Sequence, residues 1–155
     1  MNLFKTAAAA CVAAIALSTA PAFAGECPAD QTAANALADA PTMPDRVTDD
    51  VIASIDLGNG YNIPGRNLRM RRLVVQPGGV VPLHSHSERP ANIYVVDGQI
   101  TEYRTTCAVG VTHRKGDVVA EQGEVSHWWR NNSRRPAVLI SADIPPAAGS
   151  AQGGM

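Results

Sequence analysis

The sequence predicts an all-β protein folded as a single small barrel or sandwich. Three observations lead there. Short runs rich in Val, Ile, Leu and Thr recur between Val51 and Ser141. Turn residues separate them at close intervals, at Gly58-Asn59-Gly60, Pro77-Gly78-Gly79, Asp97-Gly98, Lys115-Gly116-Asp117 and Gln122-Gly123. Helical patterning is confined to the N-terminal part, and many short strands with little helix pack as two sheets around one core. At 155 residues the chain has room for one domain with a real core.

Residues 1–24 combine Lys5, an apolar run over 7–17 and Ala22-Phe23-Ala24 just before Gly25. That is the arrangement of a cleavable secretory signal, with cleavage expected after Ala24 and a periplasmic or secreted mature protein. The apolar run is too short to span a bilayer, so no transmembrane segment is expected once the signal is removed. A lipoprotein anchor is not expected, because Glu26 precedes Cys27 where such a signal needs a small residue.

Residues 25–50, rich in Ala, Asp, Pro and Thr, read as an N-terminal arm with a helical turn over 32–37. The barrel is expected over 51–144. Its strands are predicted at 51–57, at 68–75 where Leu68, Arg69, Met70 and Arg71 alternate, and at 80–86 beyond the Pro77-Gly78-Gly79 break. Strands over 92–96 and 99–105 are expected to pair as a hairpin about Asp97-Gly98. Strands at 109–113, 118–120, 126–130 and 137–141 complete the set, and residues 145–155 form a flexible tail of Pro, Ala and Gly.

Thirteen basic and 14 acidic residues give a net charge of −1, and loss of Lys5 with the signal makes the mature chain one unit more negative. The basic residues are spread over several segments, which excludes an electrostatic footprint for nucleic acid. Cys11 leaves with the signal, so Cys27 and Cys107 are the two thiols of an exported protein. An oxidising compartment favours a disulfide between them; the alternative is two separate buried thiols. Neither has a second cysteine at metal-ligand spacing.

Chemistry concentrates in two stretches. In the first, Gly78, His84, His86 and Gly98 fall at fixed offsets, and alternation along a strand puts both histidines on one face. In the second, Gly116, His127 and Asn131 do the same. The pair resembles the two motifs of the cupin superfamily, G-x5-H-x-H-x3,4-E-x6-G and G-x5-P-x-G-x2-H-x3-N, in order and separation. Ala91 stands at the acidic position of the first motif, and Gln122 and Glu124 replace the proline and glycine of the second.

The resemblance implies a double-stranded β-helix, a jelly-roll-like barrel preceded by the arm. It implies a divalent ion, iron, manganese, zinc, nickel or copper, held by His84, His86 and His127, each ring steadied through its second nitrogen. The alternative is three ordinary histidines in a degenerate barrel. Ala91 leaves such a site short of negative charge, with a weaker grip on a hard ion and an extra position for water or substrate. Glu88 continues the face of His86 and is the candidate substitute ligand, proton-transfer group or rim charge, with Tyr103 a more distant candidate. Glu102, Glu121 and Glu124 are expected on the surface, and His113 is expected as a surface or turn histidine.

By alternation Ala91, Ile93 and Val95 share a face, and Trp129 shares one with His127. These are the expected apolar walls of a pocket, while Tyr94 and Trp128 point away; for Trp128 and Trp129 the alternative is plain core packing. Arg69 and Arg71 project together, and Arg71 is a candidate pocket residue for a substrate carboxylate; an external position is the alternative. The implied function is a metal-dependent cupin enzyme of dioxygenase or isomerase type acting on a small organic molecule. A non-catalytic binding or sensing module and an envelope scaffold are the alternatives. Pairing of barrels through their sheet edges makes a homodimer an expectation as well.

Overall fold

Strand β2, Asn67–Asp97, is the frame to which most other strands attach in the computed structural model, which describes residues 26–33, 37 and 39–147. The expected signal peptide lies outside the described residues. The other strands are β1 (Asp45–Asp56), β3 (Gln99–Arg104), β4 (Val111–Arg114), β5 (Val118–Arg130) and β6 (Ala137–Asp143). All pairings are antiparallel. β6 lies between the two ends of β2, pairing residues 69–75 on one side and 91–97 on the other. The middle of β2 pairs with β5, which passes on to β3 and then β4. The protein is therefore the expected all-β jelly-roll barrel.

Pro77-Gly78-Gly79 does not end the strand as predicted. Asn131 carries the chain through it: its backbone bonds Gly78 and Gly79, and its buried side-chain amide donates to the Val75 and Arg135 carbonyls at 2.8 and 2.7 Å. Gly78 sits at φ +73°, open to glycine at little cost. The Asp97-Gly98 hairpin is also corrected. Residues 92–97 bond to β5, β6 and the turn at residues 115–117, so β3 turns away to pair with β4 and β5. Gly98 is still required, because a side chain there would meet the Pro136 carbonyl oxygen at 2.5 Å.

Strand β1 starts at Asp45, earlier than its polar sequence suggests, because as an edge strand it needs only backbone pairing with β2. Of the helical turn expected over 32–37, residues 34–36 lie outside the described residues; a short 3-10 turn stands just before it at Ala29–Gln31. Thr32 is extended and bridges Cys107. The described part of the tail is pinned rather than free: Pro145 and Ala147 bond the backbone of Asn67 and Gly65.

Cys27 and Cys107 are joined in a disulfide with 5.6 Å between their Cα atoms, tying the arm to the barrel. Replacing both by serine is expected to lower stability by up to about 4 kcal/mol, the chain-entropy figure for a loop of this length. A reduced urea midpoint would register it, and non-reducing peptide maps should recover the joined pair. Labelling of both as free thiols would contradict the bond.

Inward residues of β2, β5 and β6 form the core, in which Leu73, Val75 and Leu139 pack with Ala91, Ile93, Val95 and Trp129. Each buried Val, Leu or Ile contributes about 1.5–3 kcal/mol relative to exposure. Of the expected pocket walls, Ile93, Val95 and Trp129 are solid core, while Ala91, part of the same cluster, stands opposite Glu121 at its border with the histidines. Tyr94 does point outward, and Trp128 stacks on Tyr103 with 4.2 Å between ring centroids.

Candidate metal centre

The β2/β5 ladder sets His84 directly opposite His127, and irregular register on either side brings His86 to the same inner surface. The ring centroids of the three are 4.5 to 5.0 Å apart. Each ring is held by Nδ1. His84 Nδ1 lies 2.8 Å from the Pro82 carbonyl, His86 Nδ1 2.7 Å from the Arg89 carbonyl, and His127 Nδ1 2.5 Å from Glu102 Oε1. These oxygens only accept, so Nδ1 carries the proton and Nε2 presents a lone pair.

Those lone pairs converge. His84 Nε2 and His127 Nε2 are 3.1 Å apart, and Glu121 places Oε2 2.9 Å from His86 Nε2 and Oε1 3.4 Å from His127 Nε2. The four ligand atoms all lie within 4.8 Å of one another. His86 Nε2 and Glu121 Oε1 are buried without a hydrogen-bond partner. Buried acceptors facing one another are costly unless a cation sits between them. Burial, with the neighbouring His127 and His86 adding to it and only the Pro82 hydrogen bond opposing, pushes the His84 imidazole down to about 3, which keeps its ring a neutral donor ligand. The set suits a divalent transition ion.

Behind His127 lies a second layer that the sequence reading placed on the surface. Glu102 is 1% exposed and His113 0%. Glu102 accepts from His127 Nδ1, from His113 Nε2 at 2.9 Å and from Arg104 Nη2. Burial alone would raise the Glu102 carboxyl, but the hydrogen bonds from His113, His127 and Arg104 overcome it and hold the group well below the ordinary carboxylate range. The carboxylate therefore fixes the orientation and tautomer of His127.

Among the sequence candidates, His84, His86 and His127 come together. Glu88 does not join them: it is exposed, outside the cluster, and its carbonyl accepts from Arg66. Glu124 is exposed as expected. Glu121, expected on the surface, is 6% exposed and faces the histidines. The available signal was its even spacing from His127 along one strand, masked by the apparent turn at Gln122-Gly123.

Arg71 is inside but already engaged. It pairs with Asp49 and donates to Ser141 Oγ at 3.3 Å, while Asp143, wholly buried, takes Arg69 at 3.0 and 2.8 Å and Arg89 at 2.9 Å. Burial raises the Asp143 carboxyl, yet the Arg69 hydrogen bonds and the charges of Arg71, Arg69 and Arg89 bring it below its ordinary value. The carboxylate these arginines meet is the protein's own. Arg89 links the two clusters, since its carbonyl also holds His86. The cavity lined by His86, Glu102, Glu121 and His127 measures about 40 Å³, space for roughly three water-sized groups.

A family model described as "Cupin domain" matches residues 71–143, the span that supplies all four inward ligand atoms. Residues 71–143 are thus a cupin domain. Nectarin-1 of Nicotiana plumbaginifolia is 27% identical over 122 residues, 75% of this chain and 53% of that protein. The chain thus spans about half the length of this relative.

Among solved structures, a predicted oxalate decarboxylase from Thermotoga maritima superposes with a TM-score of 0.52 at 16% identity. It covers 69% of this chain and 94% of that one. Oxalate oxidase in complex with glycolate gives 0.50 at 16% identity, over 67% and 53%. These two likenesses concern the fold.

Proposed function

We propose that this protein is an exported cupin that holds one divalent transition ion through His84, His86 and His127 and presents it to a small oxygen-rich organic acid. The observation that carries the reading is the set of three anchored imidazoles whose Nε2 lone pairs converge within 4.8 Å of one another. When bound, such an ion polarises an oxygen ligand or exchanges electrons, the basis of isomerase-like and dioxygenase-like chemistry. The chain's own residues fix the rings, exclude bulk water and limit the entering group to about the size of a carboxylate head. The oxalate oxidase structure holds glycolate, which suggests the chemical class to try first.

The narrowness of the cavity favours a second reading, in which the ion and a small anion are bound without turnover. Export belongs to the main reading because a disulfide between Cys27 and Cys107 suits an oxidising compartment. Among the described residues no helix is long and apolar enough to cross a membrane. A homodimer is part of the proposal too, motivated by an outer sheet face that exposes Ile55, Leu68, Met70 and Tyr94.

Elemental analysis of protein purified from the exported fraction is expected to find close to one transition ion per chain. Adding glycolate or a short dicarboxylate should then raise the melting temperature of the metal-loaded form only. Protein that is metal-free and takes up none on titration would overturn the reading.

A further inference from the structure

The cupin pattern asks for an acid at position 91, and the chain has alanine there. Residue 91 is nevertheless not far from a carboxylate. On the β2/β5 ladder the Cα partner of Ala91 is Glu121. Directly opposed residues of an antiparallel pair lie about 4.5–5.5 Å apart and project their side chains to the same face. Both are buried, Ala91 at 5% and Glu121 at 6% exposed.

We infer that the acidic ligand of this site has crossed the rung: Glu121 on β5 does the work that the first motif assigns to position 91 on β2. This inference rests on the metal reading above and specifies its fourth ligand. Two independent observations support it. Glu121 Oε1 and His86 Nε2 are buried and make no hydrogen bond, and what His86 Nε2 meets is the other Glu121 oxygen, one acceptor facing another. The Glu121 oxygens also approach two different histidines, at 2.9 and 3.4 Å, which places the carboxylate within the ring of nitrogens rather than behind it.

The exchange explains why position 91 is small. Glutamates at both 91 and 121 would aim two carboxylates from opposing strands into a space of about 40 Å³. Like charges at that separation in a dry site repel strongly. With alanine at 91 the site keeps one carboxylate and three imidazoles, the same ligand count and charge as the motif would supply. The loss of affinity for hard ions expected from Ala91 alone is thereby compensated.

The test compares the full chain with Glu121→Gln, Glu121→Ala and the double variant Ala91→Glu with Glu121→Ala. Each is titrated with Mn2+ and with Zn2+, and the visible spectrum of the Co2+ form is recorded. Carboxylate ligation matters most to Mn2+, whereas imidazoles hold Zn2+ well. Glu121→Gln should therefore weaken Mn2+ by about tenfold or more, the scale on which lost site interactions are felt. It should weaken Zn2+ less and shift the Co2+ bands, and the double variant should regain most of the Mn2+ affinity.

Unchanged Mn2+ affinity and Co2+ bands in Glu121→Gln would overturn the transposition, as would a folded double variant no better than Glu121→Ala. In both cases Zn2+ binding by the histidines would leave the metal reading intact. A wild-type chain that binds none of the three ions would instead remove the metal reading and, with it, the fourth ligand.

Discussion

Replacing His84 and His127 by alanine together is expected to abolish the bound ion. The two rings come from different strands and their Nε2 atoms face each other at 3.1 Å, so the pair supplies half of the converging ligand atoms. What remains, His86 and Glu121, cannot hold a divalent ion against exchange with buffer. Wild-type protein should melt higher as metal is added, by a stabilisation of about 2.7 kcal/mol when the free ion is at a hundred times its dissociation constant. The double variant should show no such dependence. Unchanged metal content in that variant would remove the site, whichever carboxylate accompanies it.

The second large effect is expected at Glu102, a position that neither motif marks. Leucine there would leave the donors of His127, His113 and Arg104 facing an apolar side chain in a region with almost no water. Breaking a buried charged partnership of this kind costs about 3–5 kcal/mol. Urea unfolding should register that loss. The same change frees the His127 ring to rotate or switch tautomer, so ion affinity should fall by about 10–100-fold, as for other residues that support a ligand from behind. A Glu102→Leu protein with wild-type unfolding and affinity would show that His127 needs no such support.

The contrast between His127 and Glu102 marks how far the sequence could be read. His84 and His86 share a face because strands alternate, and the second stretch supplied His127 by its spacing. Glu102 and His113 gave no such sign. Each sits in a short strand flanked by polar residues, and which face turns inward was settled by β3 packing between β4 and β5. Nothing in the local sequence states that neighbourhood. Asp97-Gly98 failed as a hairpin for a related reason: the turn chemistry was right, but the hydrogen bonds it would need were taken by residues distant in the chain.

Glu121 was obscured differently. Gln122-Gly123 looks like a strand end, and Gly123 does adopt a φ of +67°, yet β5 runs on through it to Arg130. Reading a break there hid the spacing from Glu121 to His127. The Pro77-Gly78-Gly79 stretch misled in the same way, since Asn131, just past the end of the neighbouring strand β5, bonds across it. The alternation that put Ala91, Ile93, Val95 and Trp129 together was sound, but it could not distinguish a pocket wall from a filled interior.

The position of β6 between the two ends of β2 has a consequence for how the chain matures. A nascent chain that has emerged only as far as Arg130 holds every ligand-bearing residue but lacks the strand that zips both ends of β2 together. Until residues 137–143 leave the ribosome, those two β2 segments stay open-edged, and such edges are prone to aggregate. Closure in this topology waits for β6, the last strand of the chain to be made.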